Sequence, residues 1–203
     1  MCKWIQGQLE AVLLADGVKP EEIYPLDVDR AFKKLEPLLP NLIFWDAGAQ
    51  SQQLFRDGEV VMGNIWAANN MLGTRLDTAA LEKDTKAIYL QQAEQVAAEI
   101  TEKYTRCKRV AFTFRFSHAP AHNLYYAFYY NAGRVSISRQ YDTNDVVDRV
   151  GSGDCFMAGL IHAQLQGQDD QQIISFAAAA AYSKFFVMGD FNTTSAEDII
   201  KLI

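Results

Sequence analysis

The chain has 203 residues, of which 49% are apolar and 22% are charged, and its formal net charge is −6. This composition is typical of a soluble globular domain, and the acidic balance disfavours a nucleic-acid partner. The longest apolar run, 176–182, is far shorter than the roughly 20 residues of a membrane-spanning helix. Residues 1–17 lack the basic start and the cleavage site of a secretory signal, so we expect a cytoplasmic protein without a membrane anchor.

The cysteines and histidines disfavour disulfide and metal chemistry. No C-x-x-C motif occurs among the three scattered cysteines, Cys2, Cys107 and Cys155. Such an odd set fits a reducing compartment and gives no thiolate metal site. His118 and His122 are four residues apart, but Pro120 between them breaks the helix that would pair them on a metal ion. We therefore expect no metal site built from these side chains.

The first part of the chain predicts two helices and then a β–α–β unit. Apolar spacing predicts a helix over 3–16, and Asp27 caps a second helix with the apolar face Val28, Ala31, Phe32 and Leu35. Short apolar runs predict strands over 42–45 and 60–66, joined by a helix over 49–56. Strands joined in this way are expected to be parallel, with a right-handed crossover.

The second part of the chain predicts a long helix, three strands and three further helices. In chain order these are a polar loop over 67–78, helix 81–104, strand 110–114, loop 117–123, strands 124–130 and 134–138, and helices 154–166, 170–186 and 196–202. The strands 124–130 and 134–138 flank Asn131-Ala132-Gly133, a hairpin turn, and Ser195 with Asp198 predicts a capping box. The predicted fold is α/β with three layers: helices on both faces of a mainly parallel sheet, with an antiparallel hairpin at one side.

The segment from Asp148 to Phe156 carries the chemistry. Gly151, Ser152 and Gly153 stand at the start of a predicted helix, with Asp154 in its first turn. Glycines let backbone N–H groups converge, and a helix N-terminus adds partial positive charge, so a phosphate or an oxyanion can bind there. Asp154 is then placed to take a proton from an attacking hydroxyl. The alternative is a flexible turn followed by an acid that complements the helix dipole.

The sequences VDRVGSGDCFMAGLIHAQLQG and FAAAAAYSKFFVMGDFN resemble the C-terminal half of ribokinase-like (PfkB) carbohydrate kinases, and most of all 2-keto-3-deoxygluconate kinases. The resemblance runs from about 64 to 203. It implies a ribokinase-like fold for this half, an anion hole at 151–153, Asp154 as catalytic base, and ATP or ADP with Mg as cofactor. The adenine is then expected near 178–192, with Ser183 and Asn192 as contacts. Arg115 is a weaker candidate for a phosphate contact, and a surface arginine is an equal alternative.

Residues 8–66 resemble a different family, the second lobe of periplasmic solute-binding proteins of the spermidine/putrescine type. YPLDVDRA, GAQSQQL and DGEV carry this resemblance. The two resemblances meet inside VVMGNIWAANN, where both families have a strand of a β–α–β unit. We therefore interpret the chain as one hybrid domain, 1–203, engineered from a binding-protein fragment (1–66) and a kinase fragment (67–203). A natural fusion is the alternative.

Two functions follow from this interpretation. The main one is a folded chimeric scaffold without native catalysis, which retains weak ADP or ATP binding at 151–154. The alternative is an ATP-dependent sugar kinase of the 2-keto-3-deoxygluconate type that uses Asp154 as base, and a polyamine-binding module is a distant third. The aromatic hairpin at 125–130 predicts an exposed apolar patch or a homodimer.

Overall fold

In the computed structural model, residues 8–41, 59–81 and 85–203 are described. The chain divides into two compact units, Met1–Leu54 and Phe55–Ile203. The predicted strand 42–45 and helix 49–56 lie outside the described residues. The expectation of one hybrid domain therefore stays a prediction.

The first unit contains two short α-helices, α1 (Gln8–Ala15) and α2 (Val28–Leu35), and two 3-10 helices, Pro20–Glu22 and Glu36–Asn41. The predicted cap of α2 is confirmed, because the Asp27 side chain accepts a hydrogen bond from the Arg30 amide at 3.0 Å. Its predicted apolar face is only partly buried: Ala31 packs on α1, whereas Val28 and Phe32 are exposed. α1 covers the part of α2 around Ala31, and the part that carries Val28 and Phe32 is left uncovered in the described residues.

The described part of the second unit contains six helices and five strands. They are β1 (Val60–Gly63), α3 (Ile65–Leu72), α4 (Thr78–Leu81), α5 (Lys86–Lys103), β2 (Arg109–Phe116), β3 (Asn123–Asn131), β4 (Arg134–Ile137), β5 (Tyr141–Thr143), α6 (Ser152–Leu165), α7 (Asp170–Lys184) and α8 (Ala196–Ile200). The predicted α/β class is confirmed, and the predicted helices and strands of this half occur within a few residues of their expected bounds.

The sheet is mixed rather than mainly parallel in the described residues. Its order is β1-β2-β3-β4, and β5 also pairs with β3. β1 and β2 are parallel, with Val61 opposite Val110, whereas the pairs β2·β3, β3·β4 and β3·β5 are antiparallel. The antiparallel part is larger than predicted because β3 is long enough to pair with three strands.

The predicted strand 60–66 ends early, and this is a correction. β1 stops at Gly63, and the Asn64 side chain caps α3 by accepting a hydrogen bond from the Ala67 amide at 2.8 Å. Residues 65–72 are therefore helical where the sequence predicted strand and then loop. The signal was an Asn N-cap followed by helix-compatible residues and Gly73, which ends α3 in the left-handed conformation (φ 66°).

The hairpin is confirmed, and its turn has the expected backbone. Ala132 and Gly133 both have positive φ values, 49° and 84°, between the paired residues Asn131 and Arg134. Two consecutive positive φ values match the twist of the flanking strands. The short strand β5 after the hairpin was not predicted, because three residues carry too little pattern to be recognised.

Helices cover both faces of the sheet, as predicted. On one face, α5 packs through Ala93, Val96 and Ile100 against the β2 residues Val110, Phe112 and Phe114. On the other face, α6 and α7 pack against the opposite side of β2 and β3, in a core with the buried residues Ala111, Tyr125, Ala127, Tyr129, Phe156, Leu160, Ile174 and Phe185. The sheet therefore fixes α6, whose N-terminus carries the predicted site.

Within the described residues, no helix has the length and apolar character that a bilayer crossing requires.

We predict that Gly159→Val destabilises the fold by about 1–3 kcal/mol, because α6 and α7 cross closely at this glycine. A Cβ at position 159 would lie 2.9 Å from the Ala180 Cβ and 3.0 Å from the Ala177 Cα. Urea unfolding measures the change, and Ala158→Val, one residue earlier on the exposed face, is the control. Equal stability of the two variants would contradict the close crossing.

Candidate functional site

Residues 148–153, called the glycine loop below, form the entry to α6 and include its first two residues. Gly151 is the N-cap residue and has a left-handed backbone with φ 75°. A Cβ at this position would overlap the backbone carbonyl oxygen of Asp190. Both the conformation and the close approach require glycine here. Gly153 differs, because a Cβ on it would meet nothing within 4 Å and its φ is ordinary.

The first turn of α6 presents two backbone amides without acceptors. The Ser152 amide donates to the Arg149 carbonyl at 3.3 Å, and the Cys155 amide donates to the Gly151 carbonyl at 2.9 Å. Within the described residues, the amides of Gly153 and Asp154 donate no hydrogen bond, and no side chain caps the helix. Two unused N–H groups at the positive end of a 14-residue helix are chemically suited to bind an anion.

Asp148 holds the loop on one side. Its carboxylate accepts hydrogen bonds from the Val150 amide at 3.0 Å and from the Gly189 amide at 2.9 Å. These two amides, with Val150 having the larger effect, hold the pKa of Asp148 below its ordinary value. The carboxylate therefore fastens the glycine loop to the segment that follows α7.

Arg149 holds the loop on the other side. Its Nη2 donates to the carbonyls of Pro120 at 2.7 Å and His122 at 2.9 Å. The histidine pair that the sequence offered stands in this segment: the His118 amide donates to His122 Nδ1 at 3.1 Å, and His122 Nε2 lies 2.9 Å from an Asp142 carboxylate oxygen. These histidines thus order the loop before β3. The described residues contain no group of three metal-ligating side chains.

Ser183 and Asn192 come together, but their polar atoms bond to each other. Asn192 Nδ2 donates to Ser183 Oγ at 2.7 Å and to the Ala180 carbonyl at 3.2 Å, while Ser183 Oγ donates to the same carbonyl at 2.8 Å. Ser183 is buried. Both residues therefore connect α7 to the segment after it, which borders the glycine loop.

Asp154 and Arg115 are both exposed. The Asp154 carboxylate makes no hydrogen bond or ion pair within the described residues, so it is available at the first turn of α6. Arg115 stands near the end of β2, opposite Tyr125 of β3, and shares the sheet face that packs on α6 and α7. Burial raises the pKa of Tyr125, and the charges of Arg115 and Cys155 act on the same phenol in opposite directions. Arg115 and α6 therefore lie on the same face of the sheet.

A separate cavity of about 210 Å³ lies on the other face of the sheet. Tyr89, Phe116 and Tyr126 form its aromatic wall. These residues belong to the core on the α5 side, whereas the glycine loop leads into the helix on the opposite side. This cavity is therefore not part of the candidate site.

The sequence interpretation identified the glycines and Asp154 but missed the groups that hold them. The sequence pattern assigns no role to Asp148, Arg149 or Lys184. Lys184 bonds to the Val187 carbonyl three residues on, whereas the backbone partners of Asp148 and Arg149 at 189, 120 and 122 are distant in the chain. No sequence spacing encodes such contacts, although two charged residues directly before a glycine-rich turn could have indicated a clamp.

Part of the chain is similar in sequence to a known protein family. Residues 126–192 match the sequence model of the pfkB family of carbohydrate kinases. This segment includes the hairpin, the glycine loop, α6 and α7. The part of the chain that carries the site is thus similar to these kinases in sequence.

Solved structures extend the similarity to the fold. The 2-dehydro-3-deoxygluconokinase of Thermotoga maritima is 27% identical, with a TM-score of 0.66, and the match covers 92% of this chain and 58% of that one. A pfkB family carbohydrate kinase of Listeria grayi is 21% identical, with a TM-score of 0.62 over 85% of this chain and 54% of that one. The chain therefore spans less than two thirds of the length of these kinases.

A third match concerns a shorter stretch. Fifty-nine residues, 27% of the chain, are 52% identical to the gamma-aminobutyric acid-binding protein of Pseudomonas aeruginosa and cover 17% of that protein. This finding gives partial support to a binding-protein resemblance. It does not support an engineered chimera, and the match to the Thermotoga kinase covers more of the chain than residues 64–203 could supply. The comparisons therefore favour the kinase alternative over the inactive scaffold.

We predict opposite consequences for two neighbouring glycine substitutions. Gly151→Ala should destabilise the fold by about 1–3 kcal/mol, because it adds a left-handed alanine that overlaps the Asp190 carbonyl. Gly153→Ala should keep or slightly raise stability, since its backbone suits alanine and its Cβ meets no atom. Thermal unfolding of both variants checks this, and a loss of stability in Gly153→Ala alone would contradict it.

We also predict a pH-dependent contribution from Asp148. Because its pKa is lowered in the folded state from an ordinary value of 3.8, its carboxylate stabilises the fold above that value, and the contribution is lost as the pH falls through the lower folded-state pKa. The difference in Tm between wild type and Asp148→Asn should therefore be largest near neutral pH and shrink below the ordinary value. Thermal scans over this range measure it, with the exposed Asp145→Asn as control. A difference that stays constant with pH would contradict the clamp.

Proposed function

We propose that residues 59–203 carry the phosphate-binding and proton-accepting part of an ATP-dependent carbohydrate kinase of the 2-dehydro-3-deoxygluconate type. The observation that carries this proposal is the pair of unused amides at Gly153 and Asp154, beside open space at Gly153. The similarity of residues 126–192 to the pfkB family and the 27% identity to the Thermotoga kinase support the choice of reaction.

The amides of residues 153 and 154 would act as the anion hole. In phosphoryl transfer, catalysis depends on positioning and on donors that are already in place where negative charge develops. The N–H groups here are fixed by α6 and by the two clamps on the glycine loop, so they need no rearrangement on binding. Arg115 would add a cation on the same face of the sheet.

Asp154 would act as the general base. It follows directly on the anion hole, it is exposed, and no partner in the described residues occupies its carboxylate. A carboxylate in this place can accept the proton of the sugar hydroxyl as that oxygen attacks the γ-phosphorus of ATP. Electrons flow from the hydroxyl oxygen to phosphorus, and ADP leaves with the bridging oxygen.

The nucleotide would bind with Mg²⁺, whose positive charge screens the phosphate oxygens. Asp190 borders the site with an exposed carboxylate, the chemistry that Mg²⁺ prefers in proteins. Ser183 and Asn192 would act indirectly here, by holding the segment after α7 in place. An adenine contact near 178–192 belongs to the same proposal. The homodimer stays a separate prediction. The exposed apolar patch predicted at 125–130 is wrong, because Tyr125, Tyr126, Phe128 and Tyr129 are buried in the two cores.

The test is phosphoryl transfer from Mg-ATP to 2-dehydro-3-deoxygluconate, with calorimetric binding of Mg-ADP measured on the same samples. We predict that Asp154→Asn lowers kcat by about 10²- to 10⁴-fold and leaves the Mg-ADP affinity nearly unchanged, because only proton acceptance is removed.

Asp29→Asn is the matched control, since Asp29 is also an exposed acid in a first helical turn. If Asp154 serves only the helix dipole, the two variants should lose similar stability and Asp154→Asn should keep its activity. Absence of both transfer and Mg-ADP binding in a cooperatively folded wild type would refute the proposed function and favour the inactive scaffold.

A further inference from the structure

Lys184 is a buried cation that the proposed reaction does not use. It is the last residue of α7, and its side chain is fully buried. Its Nζ donates a hydrogen bond to the Val187 carbonyl at 2.6 Å. An ammonium has three donors, so burial of this group with a single acceptor in the described residues is unusual.

The surroundings of Lys184 contain little negative charge. No carboxylate among the described residues lies within ion-pair distance of it. Its charge acts on the Asp148 carboxylate and on the Cys155 thiol, which face it from the glycine loop and from α6. The carbonyl end of α7 offsets part of the desolvation cost. A buried charge with so little compensation lowers the stability of the fold. The contact that this ammonium makes must therefore account for its place in the fold.

That contact is the segment 185–191, called the lower loop below. The Phe185 carbonyl accepts from the amides of Val147 and Asp148, the Gly189 amide donates to Asp148, and the Asp190 carbonyl stands against Gly151. These contacts of Phe185, Gly189 and Asp190 with residues 147–151 all come from the lower loop. The hydrogen bond from Lys184 to the Val187 carbonyl holds the lower loop at a point between Phe185 and Gly189, the residues that contact Asp148.

We propose that Lys184 is a positioning residue for the anion-binding amides: its buried ammonium holds the Val187 carbonyl, and through it the lower loop, in the place where Gly189 and Asp190 support the glycine loop. The functional part of this inference rests on the proposed function. Its structural part, the support of the lower loop, can be tested without any nucleotide.

The experiment compares Lys184→Met with Lys201→Met, which removes the same charge from an exposed lysine near the C-terminus. Hydrogen exchange followed by NMR reports the Gly189 amide, with the Ile174 amide inside α7 as an internal reference. Lys184→Met should speed exchange of Gly189 about tenfold relative to Ile174, the effect of losing one charged hydrogen bond. Lys201→Met should leave the ratio unchanged, and Lys184→Arg, which keeps a cation and its donors, should restore part of it.

If Lys184 has only a general structural role, Lys184→Met should speed hydrogen exchange at Gly189 and Ile174 equally, or lower Tm without changing their ratio. Either result overturns the inference, and so does an unchanged exchange rate at Gly189. If Lys184→Met does not fold, Lys184→Gln retains a donor without the charge and is measured in the same way. Mg-ADP calorimetry then adds the functional part: affinity should fall about tenfold in Lys184→Met. A wild type that binds no Mg-ADP refutes the proposed function, while the exchange ratio still decides whether Lys184 supports the loop.

Discussion

The close approach of Gly151 to the Asp190 carbonyl is the constraint on which the site depends. Gly151 has no side chain, and this allows the glycine loop and the segment after α7 to lie side by side. Asp148 then reaches the Gly189 amide, and the first turn of α6 faces open space with two unused N–H groups. The site is thus formed by backbone, and its side chains serve mainly to hold that backbone.

The sheet explains why this backbone is rigid. β2 and β3 are buried on both faces, and α6 and α7 pack on one of them through a crossing that requires glycine at 159. Arg149 connects the glycine loop to carbonyls at the start of β3. A preorganised set of donors is what phosphoryl transfer requires, since charge develops faster than a loop can rearrange. An inert scaffold could be packed in the same way, so it is the comparisons that favour the kinase alternative.

The binding-protein resemblance and the kinase similarity are not equally informative. The former rests on 59 residues of a protein of which the chain covers 17%, whereas the latter joins a family match over 126–192 to a fold match over 92% of the chain. The comparisons do not confirm the expected engineered junction, and the fold match includes part of the chain before residue 64.

The sequence by itself determined the local features: the Asp27 and Ser195 caps, the hairpin turn at 131–133, the helix after the glycines, and Asp154 in its first turn. Each depends on residues a few positions apart. The sequence pattern placed the end of β1 too late, because Asn64 caps a helix there. The prediction of a mainly parallel sheet was wrong for the described residues, because the pairing of distant strands leaves no periodic signal in the sequence. Only the tertiary structure decided which amides stay unused, how Asp148 and Arg149 hold the glycine loop, that Lys184 is buried, and that Ser183 and Asn192 bond to each other. These features depend on residues that only folding brings together.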